Sequence, residues 1–249
     1  MALIENLIEE GWLKTPRIIE AFKKIKRVDF LPKEIKDLAE LNEALPIGYG
    51  QTISQPLVVA FMLEQLEPKE GDKILDIGSG SGWTSALLGE IVGGKSLSAG
   101  RQGKVIAIDI IPELVEFGKN NVAKYNFLAP YRTKGSGAGI EKGLPAGRQG
   151  IVEFICADGS KGYKKEAPFD KILCSAAIQD RIPSAWKEQL KTRALAKRGD
   201  ERSSSTIGGR IVTPIGSSIW LFTKKSETDF EEIEYPGFAF VPLITGQRG

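Results

Sequence analysis

Two short clusters in this chain carry the residue types that could do chemistry. The first is PIGYGQTISQP, from Pro46 to Pro56, where the hydroxyl and amide side chains of Gln51, Thr52, Ser54 and Gln55 are pinned between two prolines. Such groups can hydrogen-bond a substrate, but none of them titrates near neutral pH. The stretch reads as too polar and too glycine-rich for an ordinary helix or strand. The second cluster is LDIGSGSG, from Leu75 to Gly82, about twenty residues further on. Gly78, Gly80 and Gly82 follow an apolar strand-like run and open a helix-like one, which suits a tight turn that a nucleotide-like ligand can approach closely. A nicotinamide fingerprint would read GxGxxG. Here the spacing is GxGxG, with Trp83 in the next slot and Asp76 preceding the glycines.

Histidine is absent from the chain. That removes Ser-His-Asp and Cys-His catalysis, histidine general bases and histidine metal ligands at once. The two cysteines, Cys156 and Cys174, have no CxxC spacing. A disulfide framework and a cysteine zinc site are not expected, and a reducing cytoplasm is the default compartment. The reaction sought needs none of these groups.

Two acidic positions fit a nucleotide fold. An acidic residue ending the second strand accepts hydrogen bonds from ribose hydroxyls, about 20 residues after the glycine turn. Asp109 lies 31 residues after Gly78; removing the 11-residue stretch 93–103 restores a separation of 20. The alternative is an Asp that caps the loop before Pro112. Asp158-Gly159 ends the third strand on the same sheet edge, where ligands of such sheets bind; the alternative there is a plain turn. Cys174 reads as a core residue of the fourth strand.

These positions require a scaffold of alternating strands and helices. Residues 1–40 read as helical, with Thr15-Pro16 supplying an N-cap and a proline at the first helical position. Strands are expected at 73–78, 104–110, 151–158, 169–177, 209–216, 218–224 and 238–243, and helices at 84–92, 112–125 and 183–191. Apolar strands alternating with helices predict an α/β fold: a doubly wound, mostly parallel, Rossmann-like sheet with helices on both faces and an N-terminal helical extension. We expect one domain over 1–249, with a helical and substrate-loop segment at 1–70 and a cofactor-binding sheet core at 71–249.

Three stretches interrupt that rhythm, 93–103, 129–150 and 192–208, rich in Gly, Ser, Arg and Lys. They read as loop insertions. The pentapeptide AGRQG recurs at 99–103 and 146–150, too short and too unevenly spaced for a solenoid. The stretches carry +2, +3 and +2, so taking their +7 from the chain's +2 leaves −5 for the rest. The basic charge thus sits in the insertions, as exposed loops or as a contact for RNA or an acidic partner. The chain as a whole does not read as a nucleic-acid binder. Its apolar runs are too short for a membrane span, and its amphipathic, acidic start lacks the features of a signal peptide.

In order and context these motifs resemble the protein-L-isoaspartate O-methyltransferases. The resemblance rests on FLP at 30–32, ALPIGYGQTISQP at 44–56, the DxGxGxG turn at 76–82, ADGSKGY at 157–163, APFDKILCSAA at 167–177, GGRIVTPIG at 208–216 and FVPL at 240–243. It implies an S-adenosyl-L-methionine-dependent methyl transfer to the free carboxylate of L-isoaspartyl residues in damaged peptides and proteins, with S-adenosyl-L-homocysteine as product and no metal. It implies Ser54 as the active-site serine, with Thr52, Ile53 and Gln55 shaping the substrate loop. It also implies cofactor contacts by Asp76, Gly78, Ser79, Gly80, Gly82, Asp109, Ile110, Asp158 and Gly159. A monomer is expected, with neither membrane nor nucleic acid as partner. The alternatives are an RNA methyltransferase and a non-catalytic binding protein of the same fold. Against RNA, Ser175-Ala176-Ala177-Ile178 stands where amino-methylating enzymes carry [DN]PP[YFW], and the Pro-Cys motif of cytosine-carbon enzymes is missing.

Overall fold

The structure is a computed structural model that describes residues 3–93, 102–128, 151–192 and 208–246. The three expected insertions fall outside these residues except for Gly93, Gln102, Gly103, Thr192 and Gly208. In chain order the elements are α1 (Leu3–Glu9), α2 (Pro16–Lys24), 3-10 turns at Arg27–Phe30 and Lys33–Leu38, β1 (Leu45–Gly48), β2 (Gln51–Ile53), α3 (Pro56–Leu66), β3 (Lys73–Ile77), α4 (Trp83–Val92), β4 (Lys104–Asp109), α5 (Pro112–Ala123), β5 (Val152–Cys156), β6 (Lys171–Cys174), α6 (Ser184–Gln189), β7 (Arg210–Ile215), β8 (Ser218–Lys224) and β9 (Phe230–Pro236).

Seven strands form one sheet in the order β5-β4-β3-β6-β7-β8-β9. The first five of that order run parallel, and β8 and β9 close the edge antiparallel. Strand alternation sorts the core onto two faces. Ile74, Val105, Ala107, Leu173 and Val212 pack with α2, α3 and α4 on one face. Leu75, Ile77, Ile106, Ile108, Ile172 and Cys174 pack with Trp186 and Leu190 around α6 on the other. The sheet is therefore covered on both sides, as apolar parallel strands require. The strand order reverses at β3, between β4 and β6, and the carboxyl ends around such a reversal open a crevice.

Three expectations change. Thr15 makes no side-chain cap on α2. Its hydroxyl donates instead to Glu64 Oε2 at 2.7 Å, and the N–H groups of Lys14 and Thr15 donate to Glu64 Oε1 at 2.8 and 2.9 Å, tying the N-terminal helices to α3. Helix α3 is buried along most of its circumference, so no amphipathic period announced it. The last strand is Phe230–Pro236, not 238–243: an edge strand whose outward positions are glutamates carries no apolar run. Residues 238–243 instead leave the sheet after Gly237 and cross its carboxyl edge, where Phe238 N–H donates to the Ser217 carbonyl and Pro242 bridges Ala177 just past β6.

The glycine turn reaches α5 through a backbone contact that tolerates no side chain. A Cβ on Gly82 would lie 2.8 Å from the Gly118 carbonyl oxygen, and one on Gly118 would lie 2.9 Å from the Gly80 oxygen and 2.9 Å from the Phe154 ring. Helix propensity alone predicts that Gly118→Ala stabilises α5 by about 0.5–1 kcal/mol. The contact predicts the opposite sign, a loss of about 1–3 kcal/mol from overpacking, read as a lowered urea midpoint with an unchanged m-value.

Candidate active site

The segment 45–53 corrects one sequence expectation, because it does form strands. β1 and β2 pair antiparallel, with Leu45 opposite Ile53 and Pro46 opposite Thr52. Tyr49 and Gly50 turn the hairpin with φ of 56° and 71°, the signs of a type I′ turn. Strands of four and three residues that pair only with each other are too short to show a period. The hairpin lies on the glycine turn, since a Cβ on Gly80 would come 3.3 Å from the Ile47 side chain.

The flanks of the hairpin are held by Arg27, which is buried. Its Nη1 donates to the carbonyls of Ala39 at 3.1 Å and Leu41 at 2.9 Å. Its Nη2 donates to those of Glu43 at 2.6 Å and Ser54 at 3.3 Å. The guanidinium also lies 5.5 Å from the centroid of the Trp83 ring, at the start of α4. Burial lowers its pKa to about 10, against the opposing charge of Glu40, so it remains a cation at neutral pH. Asn42 completes the tie: its carbonyl accepts from Gln55 Nε2 at 2.9 Å, and its Oδ1 accepts from the Leu57 N–H at 3.0 Å.

The glycine turn is fixed from below and from the side. Gly78 and Ser79 N–H donate to the Ile108 carbonyl at 2.9 and 3.0 Å. Gly80 N–H donates to Asp109 Oδ2 at 2.9 Å, and Ile111 N–H donates to Oδ1 at 3.0 Å. Burial raises the Asp109 pKa despite these donors. Asp76 is fully enclosed, and its Oδ2 accepts from Ser85 at 2.6 Å and Thr84 at 2.9 Å. Burial pushes its pKa up to about 6, opposed by those two hydroxyls and aided by the charge of Asp109.

Hairpin, turn and C-terminal segment enclose a cavity of about 280 Å³. Gln51, Thr52, Ile53, Ser54 and Gln55 line it from the hairpin, and Gly78, Ser79, Gly80 and Asp109 from the sheet. A smaller cavity beside it is lined by Ile110, Ile111 and Gly159, and shares Gln51, Gly78, Asp109 and Ala176 with the first. Three expected cofactor residues line neither. Asp76 faces the hydroxyls of α4, beneath the turn. Gly82 packs on Gly118. Asp158 caps its own turn, with Oδ1 accepting from the N–H and hydroxyl of Ser160 at 3.0 and 2.7 Å, and its Oδ2 accepts from Gly246 N–H at 3.2 Å. Burial alone would raise the Asp158 pKa; these donors and Lys161 outweigh it and lower the value.

The sequence reading missed the other walls. Ser175, Ala176, Val58 and Trp83 line the larger cavity. So do Ala239, Phe240 and Val241, while Pro242, Leu243 and Ile244 line the smaller one. The C-terminal segment is anchored by Ala177, which donates to Val241 at 2.8 Å and accepts from Leu243 at 2.7 Å. Its signal was the apolar FVPL run, read as a strand. Cys174 is buried, its thiol pushed up to about 12 by burial. Among the described residues no group of three His, Cys, Asp or Glu could hold a metal ion.

A sheet crevice with a glycine turn and a polar hairpin above it does not by itself name a reaction, and whole-chain similarity narrows the choice. A family model described as "Protein-L-isoaspartate(D-aspartate) O-methyltransferase (PCMT)" matches residues 1–248. The chain belongs to this family. It is 39% identical to protein-L-isoaspartate O-methyltransferase 2 of Archaeoglobus fulgidus, over 97% of this chain and 90% of that one. It is 35% identical to the protein-L-isoaspartate O-methyltransferase of Methanopyrus kandleri, over 99% and 91%. Among solved structures, a putative Plasmodium falciparum PCMT crystallised with S-adenosyl-L-homocysteine superposes with a TM-score of 0.72 at 18% identity, over 98% of this chain and 97% of that one. That likeness is one of fold.

Two predictions follow from the geometry. Arg27→Ala leaves four carbonyls without their donor and lowers stability by at least about 2 kcal/mol in denaturant titration. Asp76 has a folded pKa above its unfolded value of 3.8. Its stabilising contribution is therefore full below pH 3.8 and lost as pH rises through about 6. Asp76→Asn removes this component, so the variant's stability relative to the parent rises across that window in pH-resolved unfolding.

Proposed function

We propose that this protein transfers a methyl group from S-adenosyl-L-methionine to the free carboxylate of L-isoaspartyl residues in damaged proteins. The observation that carries the reading is the juxtaposition of the hairpin hydroxyls with the glycine turn across one cavity, in a chain whose whole length matches the family. The residues fit the cofactor. Gly78 and Gly80 carry no side chain of their own into the cavity they line, and Asp109 stands at the end of β4, with Ile110 and Gly159 around the smaller cavity. When bound, the cofactor supplies a sulfonium-activated methyl carbon that needs neither metal nor acid to react.

The protein's task is then positional. A carboxylic acid of pKa near 4 is already about fully ionised at pH 7, so no base has to deprotonate it. Ser54 donates its hydroxyl hydrogen to the acceptor carboxylate and does not attack, because among the described residues no side chain accepts its hydroxyl proton. Thr52, Ile53 and Gln55 shape the wall beside it, and Phe240 and Val58 exclude water. In-line orientation of this kind supplies roughly 7–11 kcal/mol of barrier lowering. One chain supplies every wall described, so a monomer suffices. The unpaired Cys156 and Cys174 suit a reducing cytoplasm.

Labelled methyl transfer to an isoaspartyl peptide, its aspartyl twin and RNA tests the reading. Base-labile ester is expected on the isoaspartyl peptide alone; label on RNA or on both peptides rejects it. Ser54→Ala is expected to keep S-adenosyl-L-homocysteine affinity within about twofold and lower isoaspartyl turnover by roughly 10- to 100-fold, the worth of one hydrogen bond to a charged group. Unchanged turnover at saturating cofactor would remove Ser54 from that role.

A further inference from the structure

The tip of the hairpin is built at odds with its own conformational needs. Gly48, Tyr49 and Gly50 follow one another with φ of 92°, 56° and 71°. Glycine adopts that region freely, but a bulky side chain there is an outlier. Asn, Asp or Gly would serve a type I′ turn at lower cost. The tip is also free of crowding, since a Cβ on either flanking glycine would meet nothing within 4 Å. Tyr49 is nonetheless 54% exposed, one of three exposed large apolar side chains among the described residues. Neither the turn nor the core accounts for an aromatic ring at this position.

Its surroundings supply a reason. Gly48 pairs with Gln51, which lines both cavities, and Ser54 lies three residues beyond Gln51. Leu41, 43% exposed, is a second of those three side chains, and its carbonyl shares the Arg27 guanidinium with that of Ser54. Two of the three exposed apolar groups thus belong to the segment clamped around the cavity. A small-molecule acceptor would be contained by the cavity and need no apolar rim. An acceptor residue within a polypeptide brings flanking chain that must lie outside it.

We propose that Tyr49 is a specificity residue whose ring packs on the polypeptide flanking the acceptor residue, favouring apolar neighbours. This rests on the isoaspartyl reading above. The strained conformation at the tip is then maintained for substrate contact.

The test compares the parent with Tyr49→Asn and Tyr49→Phe, using two isoaspartyl hexapeptides whose flanks are leucine or glycine. Thermal melting and calorimetric titration with S-adenosyl-L-homocysteine are run beside the kinetics. Tyr49→Asn should melt at the same temperature as the parent or higher and bind S-adenosyl-L-homocysteine within about twofold. Its KM for the leucine-flanked peptide should rise about five- to tenfold, the worth of an aromatic contact, with kcat and the glycine-flanked peptide little changed. Tyr49→Phe should behave as the parent. An unchanged KM for both peptides in Tyr49→Asn overturns the proposal. So does a uniform loss of activity accompanied by a lower melting temperature, which would make Tyr49 structural. If the parent methylates neither peptide, the isoaspartyl reading fails and the role falls with it; if it methylates both and Tyr49→Asn is unaffected, only the role of Tyr49 fails.

Discussion

A buried guanidinium holds the segment on which the site depends. Arg27 gives up water, at a cost expressed in its lowered pKa, and recovers it through four backbone carbonyls drawn from residues 39 to 54 and through the face of Trp83. A planar fork can satisfy several carbonyls at once, and a lysine ammonium could not match that geometry. Because one partner is the Ser54 carbonyl and another contact is the first residue of α4, the same side chain sets the hairpin relative to the glycine turn. The hairpin itself is only a two-stranded ribbon, marginal without such support.

On the other side of the cavity the turn is held by carboxylates. Asp109 accepts the N–H of Gly80, while Asp76 accepts the hydroxyls that open α4. Both carboxyls are buried and raised in pKa, so both cost stability at neutral pH. The return is a fixed turn whose Gly78, Ser79 and Gly80 line the cavity. Together the two supports fix the distance across which a methyl group and a carboxylate must meet, and fixed distance is what a reaction with an ionised nucleophile and an activated methyl requires.

Much of the scaffold was legible because buried parallel strands are apolar throughout: β3, β4 and β6 announce themselves as KILDI, KVIAID and KILC. The glycine spacing and the position of Asp109 located the turn. The remainder was hidden for physical reasons. β9 presents glutamates to solvent at an edge, and α3 is apolar nearly all round, so neither shows a period. Arg27 works through carbonyls, which every residue possesses, so no complementary side chain betrays it. Asp76, Gly82 and Asp158 sit in the motif but face α4, Gly118 and Ser160; a motif gives spacing, and only the fold gives direction.

The central claim is that the site positions a carboxylate that is already ionised and employs no general base. The pH dependence of kcat at saturating isoaspartyl peptide and S-adenosyl-L-methionine tests it most directly. The account predicts a constant kcat from about pH 7 to about pH 9, because no protein group has to lose a proton before transfer. A kcat that rises through an ionisation within that range would reveal a base and contradict it.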